Sequence, residues 1–170
     1  GDNSAYRVAQ VQPMKLAAME ALYNGGKGES LTAIAAVHPF RQPDYESEQE
    51  PAMRIAIPNM LSFLATRTAD GYVPGVNDIL KGYTREDGTR EPSVQEKIAR
   101  GKKAIVALKT YRETKAQDQL PILKENMKYF GYGYIKDAKE LVPSIPICFY
   151  AFRLMVGVGC LLILFFALSL

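Results

Sequence analysis

Histidine and cysteine, which hold most transition-metal ions in proteins, are scarce in this chain of 170 residues. It contains one histidine, His38, and two cysteines, Cys148 and Cys160. The two cysteines would lie about 18 Å apart along one helix, which is too far for a disulfide bond. The polar part of the chain therefore lacks a disulfide framework and a cysteine-based zinc site, and a single histidine does not make a self-contained metal site.

A strong charge of one sign is also missing. The sequence has 21 Lys and Arg against 18 Asp and Glu, a net charge of +3, and the two signs are interspersed. A nucleic-acid-binding protein normally carries a more basic face, so we exclude nucleic acid as a partner. No nucleophile–base motif, phosphate-binding loop or metal signature is present either.

The most prominent feature that is present is the apolar run at residues 147–170, ICFYAFRLMVGVGCLLILFFALSL. A helix of this length crosses the ~30 Å hydrocarbon core of a membrane. We therefore predict a polar domain at 1–146 and a transmembrane helix at 147–170. The chain does not start with Met and nothing polar follows the run, so we expect both ends to lie within a longer polypeptide.

The polar domain is predicted to be mainly α-helical, with little or no strand. Helix-favouring residues and breakers predict helices at 8–23, 58–69, 93–115, 120–130 and 132–142. Residues 1–7 are interpreted as a polar lead-in, and 53–57 as a short strand or extended segment. The acidic, proline-rich stretch at 38–51 is predicted to be a solvated, flexible loop.

Breakers and capping residues predict how the domain is divided. Residues 71–92 are rich in Gly and Pro, which indicates a linker between two helical lobes, with a short helical turn at 76–80. Ser93 is the expected N-cap of the next helix, with Glu96 completing a capping box. Pro13 suits the first turn of the first helix.

Arg153 and Met155 stand out in the apolar run. A charge inside a membrane span is costly and usually faces a partner, and methionine sulfur is a soft ligand that suits haem iron. A guanidinium nearby could pair with a haem propionate. The alternative, which spacing alone favours, is a methionine that fills a gap in the packing and an arginine that reaches back to the interface.

Two further features have a structural and a functional interpretation. Lys15 and Glu20 lie about 140° apart around a helix, and are either functional groups or two solvated surface charges. The aromatic, glycine-rich run at 129–139 either lines a pocket or caps and packs a helix end. Residue spacing alone favours the structural interpretation in both cases.

Taken in order, these features resemble subunit I of the bd-type cytochrome quinol oxidases, which are bacterial terminal oxidases. The matching pieces are VQPMKLAAMEA, IAIPNMLSFLATRT, IARGKKAIVALKTYR, FGYGY and SIPICFYAFRLMVGVG. In that family, this region is the hydrophilic quinol-binding loop between the sixth and seventh transmembrane helices, followed by the start of the seventh. The resemblance covers nearly the whole chain.

The resemblance implies a role for each candidate residue. Lys15 and Glu20 match the family's lysine and glutamate of quinol oxidation, where a carboxylate can accept a proton and an ammonium can hydrogen-bond the quinone oxygen. Met155 matches the axial ligand of low-spin haem b, and Arg153 the arginine near that haem. The histidine ligand, and the ligands of a second haem b and of haem d, are implied to lie outside this chain.

The implied activity is that of a respiratory quinol:oxygen oxidoreductase that reduces oxygen to water. Its implied partners are quinol, the rest of subunit I, subunit II and the bacterial inner membrane, with residues 1–146 facing the periplasm. The isolated segment is expected to be inactive and to bind no stable haem. The alternative is a single-pass, membrane-anchored helical module that binds another protein without catalysis.

Overall fold

The computed structural model describes residues 2–35 and 54–169, so the predicted loop at 38–51, with His38, lies outside the described residues. The described chain is mainly α-helical, as predicted. Its helices are α1 Asp2–Val11, α2 Pro13–Met19, α3 Met60–Thr66, α4 Val76–Lys81, α5 Val94–Thr114, α6 Gln119–Asn126 and α7 Ile145–Ser169. Two 3-10 segments, Met127–Tyr134 and Ala138–Leu141, follow α6.

The described residues also contain short strands, which form antiparallel two-stranded sheets. They are β1 Gly26–Lys27, β2 Leu31–Ala35, β3 Arg54–Ile57, β4 Tyr72–Val73, β5 Tyr83–Thr84 and β6 Arg90–Glu91. β1 pairs with β4, β2 with β3, and β5 with β6. The β2–β3 ladder places Leu31 opposite Ile57 and Thr32 opposite Ala56, with a bulge between Thr32 and Ile34. β3 confirms the strand interpretation of 53–57 over its described residues.

The predicted helix at 8–23 is divided into α1 and α2. Proline has no backbone N–H and disfavours a helical conformation at the residue before it. Gln12 accordingly has φ −137°, and Pro13 begins α2. The helix then ends at Met19, earlier than predicted, because Glu20 is the C-cap and Ala21 has a positive φ of 49°. The prediction of a polar lead-in at 1–7 is wrong, because these residues belong to α1 from Asp2 onward.

The chain forms two compact units. Unit 1 combines residues up to 78 with those from 143 onward, and unit 2 comprises 79–142. The core of unit 1 brings together α2, α3 and β4 through the buried side chains Leu16, Leu61, Ala65 and Val73. The boundary at 146/147 and the linker at 71–92 stay predictions, while the helical turn predicted at 76–80 is confirmed by α4.

Unit 2 is built on the long helix α5. The hydroxyl of Ser93 accepts a hydrogen bond from the Glu96 backbone N–H at 3.2 Å, which confirms the predicted N-cap. The 3-10 segment that follows α6 packs so closely on α5 that a Cβ added at Gly101 would collide with the backbone of Gly133. Tyr129 is buried beside this contact. Gly133 of the aromatic run therefore permits close backbone packing against Gly101.

The predicted transmembrane helix is α7, which contains 25 residues and extends about 37 Å. Among the described residues, the stretch Ala138–Ser169 is the one long and apolar enough to cross a membrane. Its apolar side chains are mostly exposed from Ile147 onward. This exposed apolar surface is what a membrane-spanning helix presents to lipid or to other helices.

Candidate functional site

Arg153 connects α7 with the N-terminal elements of unit 1. Its Nη2 donates to Glu20 Oε2 at 2.8 Å and to the Thr32 carbonyl at 2.5 Å, and its Nη1 donates to the Met19 carbonyl at 2.5 Å. The guanidinium also lies 3.6 Å from the centre of the Phe149 ring. The membrane-helix arginine therefore has its partner within the same unit, on α2 and β2.

Glu20 is the buried acid of this cluster. Its side chain is only 3% exposed, and burial raises the pKa of its carboxyl group above the ordinary value, although the Arg153 charge acts in the opposite direction. The two effects oppose each other because burial disfavours the charged form and a nearby cation favours it. The alternative in which Glu20 is a solvated surface charge is therefore wrong.

The position of Glu20 at the end of α2 adds to the need for a cation. The carboxyl end of a helix carries partial negative charge on its free carbonyl groups, so a carboxylate there is unfavourable. Arg153 contacts both the Glu20 carboxylate and the Met19 carbonyl, and so neutralises the side chain and the helix end together. A single guanidinium group has enough N–H donors to bond the carboxylate and the carbonyl at the same time.

A second arginine, Arg54, contacts residues next to the Glu20–Arg153 pair. Arg54 Nε donates to Thr32 Oγ1 at 2.9 Å, while its Nη2 reaches the Ser30 carbonyl at 3.3 Å. The Arg54 charge also favours the ionised form of Glu20. Arg153 Nε, in contrast, is buried and has no hydrogen-bond partner in the described part of the chain. The cluster thus retains one donor that a bound acceptor could satisfy.

Lys15 lies on the exposed side of α2, whereas Leu16, Ala17 and Ala18 face the core. It is outside the set of contacts around Glu20, which is ion-paired with Arg153. The structure thus brings Glu20 and Arg153 together and leaves Lys15 accessible to solvent.

Met155 is 63% exposed on α7. Two residues correspond to about 200° around a helix, so Met155 and Arg153 lie on different sides of α7. The thioether is therefore open to a group from outside the chain. Among the described residues, no three His, Cys, Asp or Glu side chains form a metal-binding group.

Sequence analysis missed the partners that complete the cluster. The carbonyl groups of Met19 and Thr32 are backbone acceptors, which carry no signal in the residue type. The contact with Phe149 could have been predicted from the sequence, because Phe149 precedes Arg153 by four residues and such pairs are neighbours on a helix surface. Arg54 is brought in by the β2–β3 pairing, which depends on a contact across the undescribed residues 36–53.

Comparison with known proteins identifies a sequence family and two similar proteins. The sequence family described as cytochrome bd terminal oxidase subunit I matches residues 1–170. The chain is 32% identical over 177 aligned positions to cytochrome bd-II ubiquinol oxidase subunit 1 of Escherichia coli strain K12, covering 100% of this chain and 33% of that protein. A solved structure, the bd oxidase from Geobacillus thermodenitrificans, matches at 24% identity with a TM-score of 0.37, covering 90% of this chain and 31% of that chain. The chain thus spans about a third of the length of the relatives it matches.

Proposed function

Because this chain belongs to the family of cytochrome bd terminal oxidase subunit I, we propose that it is the quinol-oxidising segment of a respiratory oxidase. In the whole protein, quinol would be the electron donor and oxygen the acceptor, reduced to water. This segment binds quinol, accepts its protons and supplies one haem ligand. The isolated segment lacks the remaining ligands and is expected to be inactive.

The observation that supports this proposal best is the buried Glu20 carboxylate beside Arg153. Oxidation of a quinol to a quinone releases two protons and two electrons. A general base works best when its pKa lies near the operating pH, and burial shifts the pKa of Glu20 in that direction. We assign Glu20 as the group that takes a proton from a quinol hydroxyl.

Lys15 is assigned a second role in the same reaction, as a hydrogen-bond donor to the quinol. Its ammonium group is exposed on α2 and has three donors for a quinone or quinol oxygen. Lys15 is exposed on α2 and Glu20, the C-cap of that helix, is buried, so they would contact different parts of the bound molecule or act at different stages of its entry. The exposed side of α2 is then the side from which quinol approaches.

Two observations fit a haem bound next to α7. The Met155 thioether is exposed and is the kind of soft donor that ligates low-spin haem iron. The buried Arg153 Nε has a free donor in the described part of the chain, which suits an anionic acceptor such as a haem propionate. Low-spin haem b, held by Met155 and a histidine from outside this chain, would supply the electron acceptor.

The proposed setting is the bacterial inner membrane. α7 would be one of several spans of the full subunit, with residues 1–146 facing the periplasm, where the quinol protons are released. Subunit II and the rest of subunit I, which would hold the second haem b and haem d, are the proposed partners. The family match over the whole chain favours this assignment over an independent single-pass binding module.

The proton-transfer role is tested with Glu20→Gln and Lys15→Gln in the full-length oxidase. We expect quinol-dependent oxygen uptake to fall by about 10²-fold or more for Glu20→Gln, since this is the typical contribution of a positioned general base. Haem spectra should stay normal in both variants. Glu96→Gln is the matched control, because Glu96 forms an exposed pair with Arg100 on α5. Oxygen uptake at the wild-type rate in both site variants would remove these residues from the quinol site.

Ligation by Met155 is tested with Met155→Leu, which keeps the side chain's size but removes its sulfur. The low-spin haem b spectrum should be lost or converted to a high-spin form, because a hydrocarbon does not ligate iron. Met127→Leu, at another exposed methionine, serves as the control. If the Met155→Leu spectrum matched that of wild type, the ligand would have to be another residue.

A further inference from the structure

Thr32 lies at the centre of the contacts around Glu20. It is buried in β2, and each of its polar groups has a different partner. Its backbone N–H bonds the Glu20 carboxylate, its carbonyl accepts from Arg153 Nη2 at 2.5 Å, and its hydroxyl accepts from Arg54 Nε at 2.9 Å. Thr32 therefore links the acid at the end of α2 with one arginine from α7 and another from β3.

Arg54 is held by two acceptors of the neighbouring chain segment. Its Nε bonds the Thr32 hydroxyl, and its Nη2 lies 3.3 Å from the Ser30 carbonyl. Fixing a long, exposed side chain in one geometry costs conformational entropy, so such a side chain stays mobile unless specific acceptors hold it. The two bonds thus give the Arg54 charge a defined position, from which it acts on Glu20.

Arg153 alone does not offset the burial of Glu20. Burial is the largest influence and raises the pKa of the carboxyl group, although the charge and the hydrogen bond of Arg153 act in the opposite direction. The same guanidinium is also shared with the carbonyls of Met19 and Thr32. Arg54 adds a second positive charge that favours the ionised carboxylate. In the described part of the chain, Arg153 and Arg54 are the charges that act on Glu20.

We propose that Arg54 is a positioning residue of the quinol site: held on β2 by Thr32, it keeps the Glu20 carboxylate ionised and ready to accept a proton. The inference rests on the proton-acceptor role proposed above for Glu20. A carboxylate accepts a proton only in its ionised form, so the rate of quinol oxidation should rise as pH passes through its pKa. Loss of the Arg54 charge raises that pKa and moves this acid limb of the pH profile to higher pH.

The test compares Arg54→Gln with wild type in the full-length oxidase, by quinol-dependent oxygen uptake between pH 5 and pH 8. We expect the midpoint of the acid limb to rise by about 0.2–0.7 pH unit at low salt, the size typical of one exposed charge. Because Arg54 is exposed, the shift should largely disappear in about 1 M salt, where charges are screened beyond about 3 Å. A lower rate at every pH with an unmoved midpoint would show a structural role alone and would overturn the proposal.

Three further variants separate charge from position. Arg54→Lys keeps the charge and should restore most of the midpoint shift. Thr32→Val removes the hydroxyl acceptor at nearly unchanged shape, so Arg54 turns toward water and the midpoint should move in the same direction as in Arg54→Gln. Arg67→Gln is the matched control, because it removes another exposed arginine of unit 1, one that bonds Asn3 of α1. A wild-type midpoint in Thr32→Val would overturn the proposed positioning by Thr32.

Glu29 is a second acid on which Arg54 acts, so it needs its own control. Burial raises the pKa of the Glu29 carboxyl group, and the Arg54 charge opposes this. The shift caused by Arg54→Gln should persist when Glu29→Gln is already present. If the shift disappeared in that background, Arg54 would act through Glu29, and the proposal would be wrong.

Amide hydrogen exchange of residues 16–22 separates this inference from the quinol role of Glu20. Arg54→Gln should destabilise this segment more at pH 7 than at pH 5, because a carboxyl group with a raised pKa loses its contribution to stability as pH rises. An equal change at both pH values would contradict the inference, whatever the activity. If exchange responds as expected but Glu20→Gln oxidises quinol at the wild-type rate, the proton-acceptor role of Glu20 is refuted, and with it the functional part of the inference.

Discussion

Replacing Arg153 with leucine would leave the Glu20 carboxylate buried without its cation. In the native structure, one guanidinium binds the carboxylate at 2.8 Å together with the carbonyls of Met19 and Thr32. Leucine supplies none of these donors. Breaking a buried ion pair by removing one partner typically costs about 3–5 kcal/mol, because the remaining charge is left without compensation.

Protonation of Glu20 limits this cost. Neutralising a carboxyl group costs about 1.4 kcal/mol for each pH unit above its pKa, which amounts to about 3–4 kcal/mol at pH 7 and about 1 kcal/mol at pH 5 for an ordinary glutamate. In Arg153→Leu, the pKa of Glu20 should rise further above its already raised value. A carboxyl group with a raised pKa contributes stability that is complete below its unfolded pKa and lost as pH rises through its folded pKa. The destabilisation by Arg153→Leu should therefore grow from pH 5 to pH 7.

Amide hydrogen exchange of residues 16–22 in the full-length subunit, corrected for intrinsic exchange rates, measures this local free energy of opening. The control is Arg100→Leu, because Arg100 pairs with Glu96 at 3.2 Å and both side chains are more than a third exposed. Such a surface pair contributes about 0.3–0.5 kcal/mol, and its removal should change little with pH. A loss below about 1 kcal/mol at pH 7, or an equal loss at pH 5 and pH 7, would refute the reasoning.

Two predictions concern the packing within each unit. Ser62→Ala should destabilise unit 1 by about 1–3 kcal/mol, because the buried hydroxyl accepts a hydrogen bond from the Glu29 backbone N–H at 2.7 Å; hydrogen exchange of α3 measures this loss. Gly101→Ala should destabilise unit 2 by about 1–3 kcal/mol, because its Cβ would collide with the backbone of Gly133. Hydrogen exchange of α5 should detect this change and should be unaffected by Gly157→Ala, where a Cβ meets nothing within 4 Å.

Local signals in the sequence predicted the elements that local chemistry decides. Ser93 caps α5 through its own hydroxyl, and Pro13 begins α2, because both effects act within one helical turn. The apolar run predicted α7 from length and composition alone. The first residues of α1, 2–7, were missed because they are mostly polar, and the helix is held in the fold by Val8 and Ala9, which pack on the core of unit 1.

The candidate site depends on contacts that no local pattern contains. Glu20 and Arg153 are separated by 133 residues, and the period of α2 gave no orientation for Glu20 because the helix ends before it. The paired strands β1 and β4 are likewise far apart in sequence and only two residues long. The roles of Lys15, Glu20, Arg153 and Met155 come from the family resemblance and stay predictions until the variants are measured.

Unit 1 is formed by two separate parts of the sequence, which the ribosome synthesises at different times. Glu20 leaves the ribosome 133 residues before Arg153, and at about 5–20 residues per second this corresponds to roughly 7–27 s. Throughout that interval, the carboxyl end of α2 lacks the Arg153 guanidinium that binds both Glu20 and the Met19 carbonyl. The Arg153 contacts of unit 1 therefore form only after α7 has been synthesised, and α7 is the element that completes the packing of the unit.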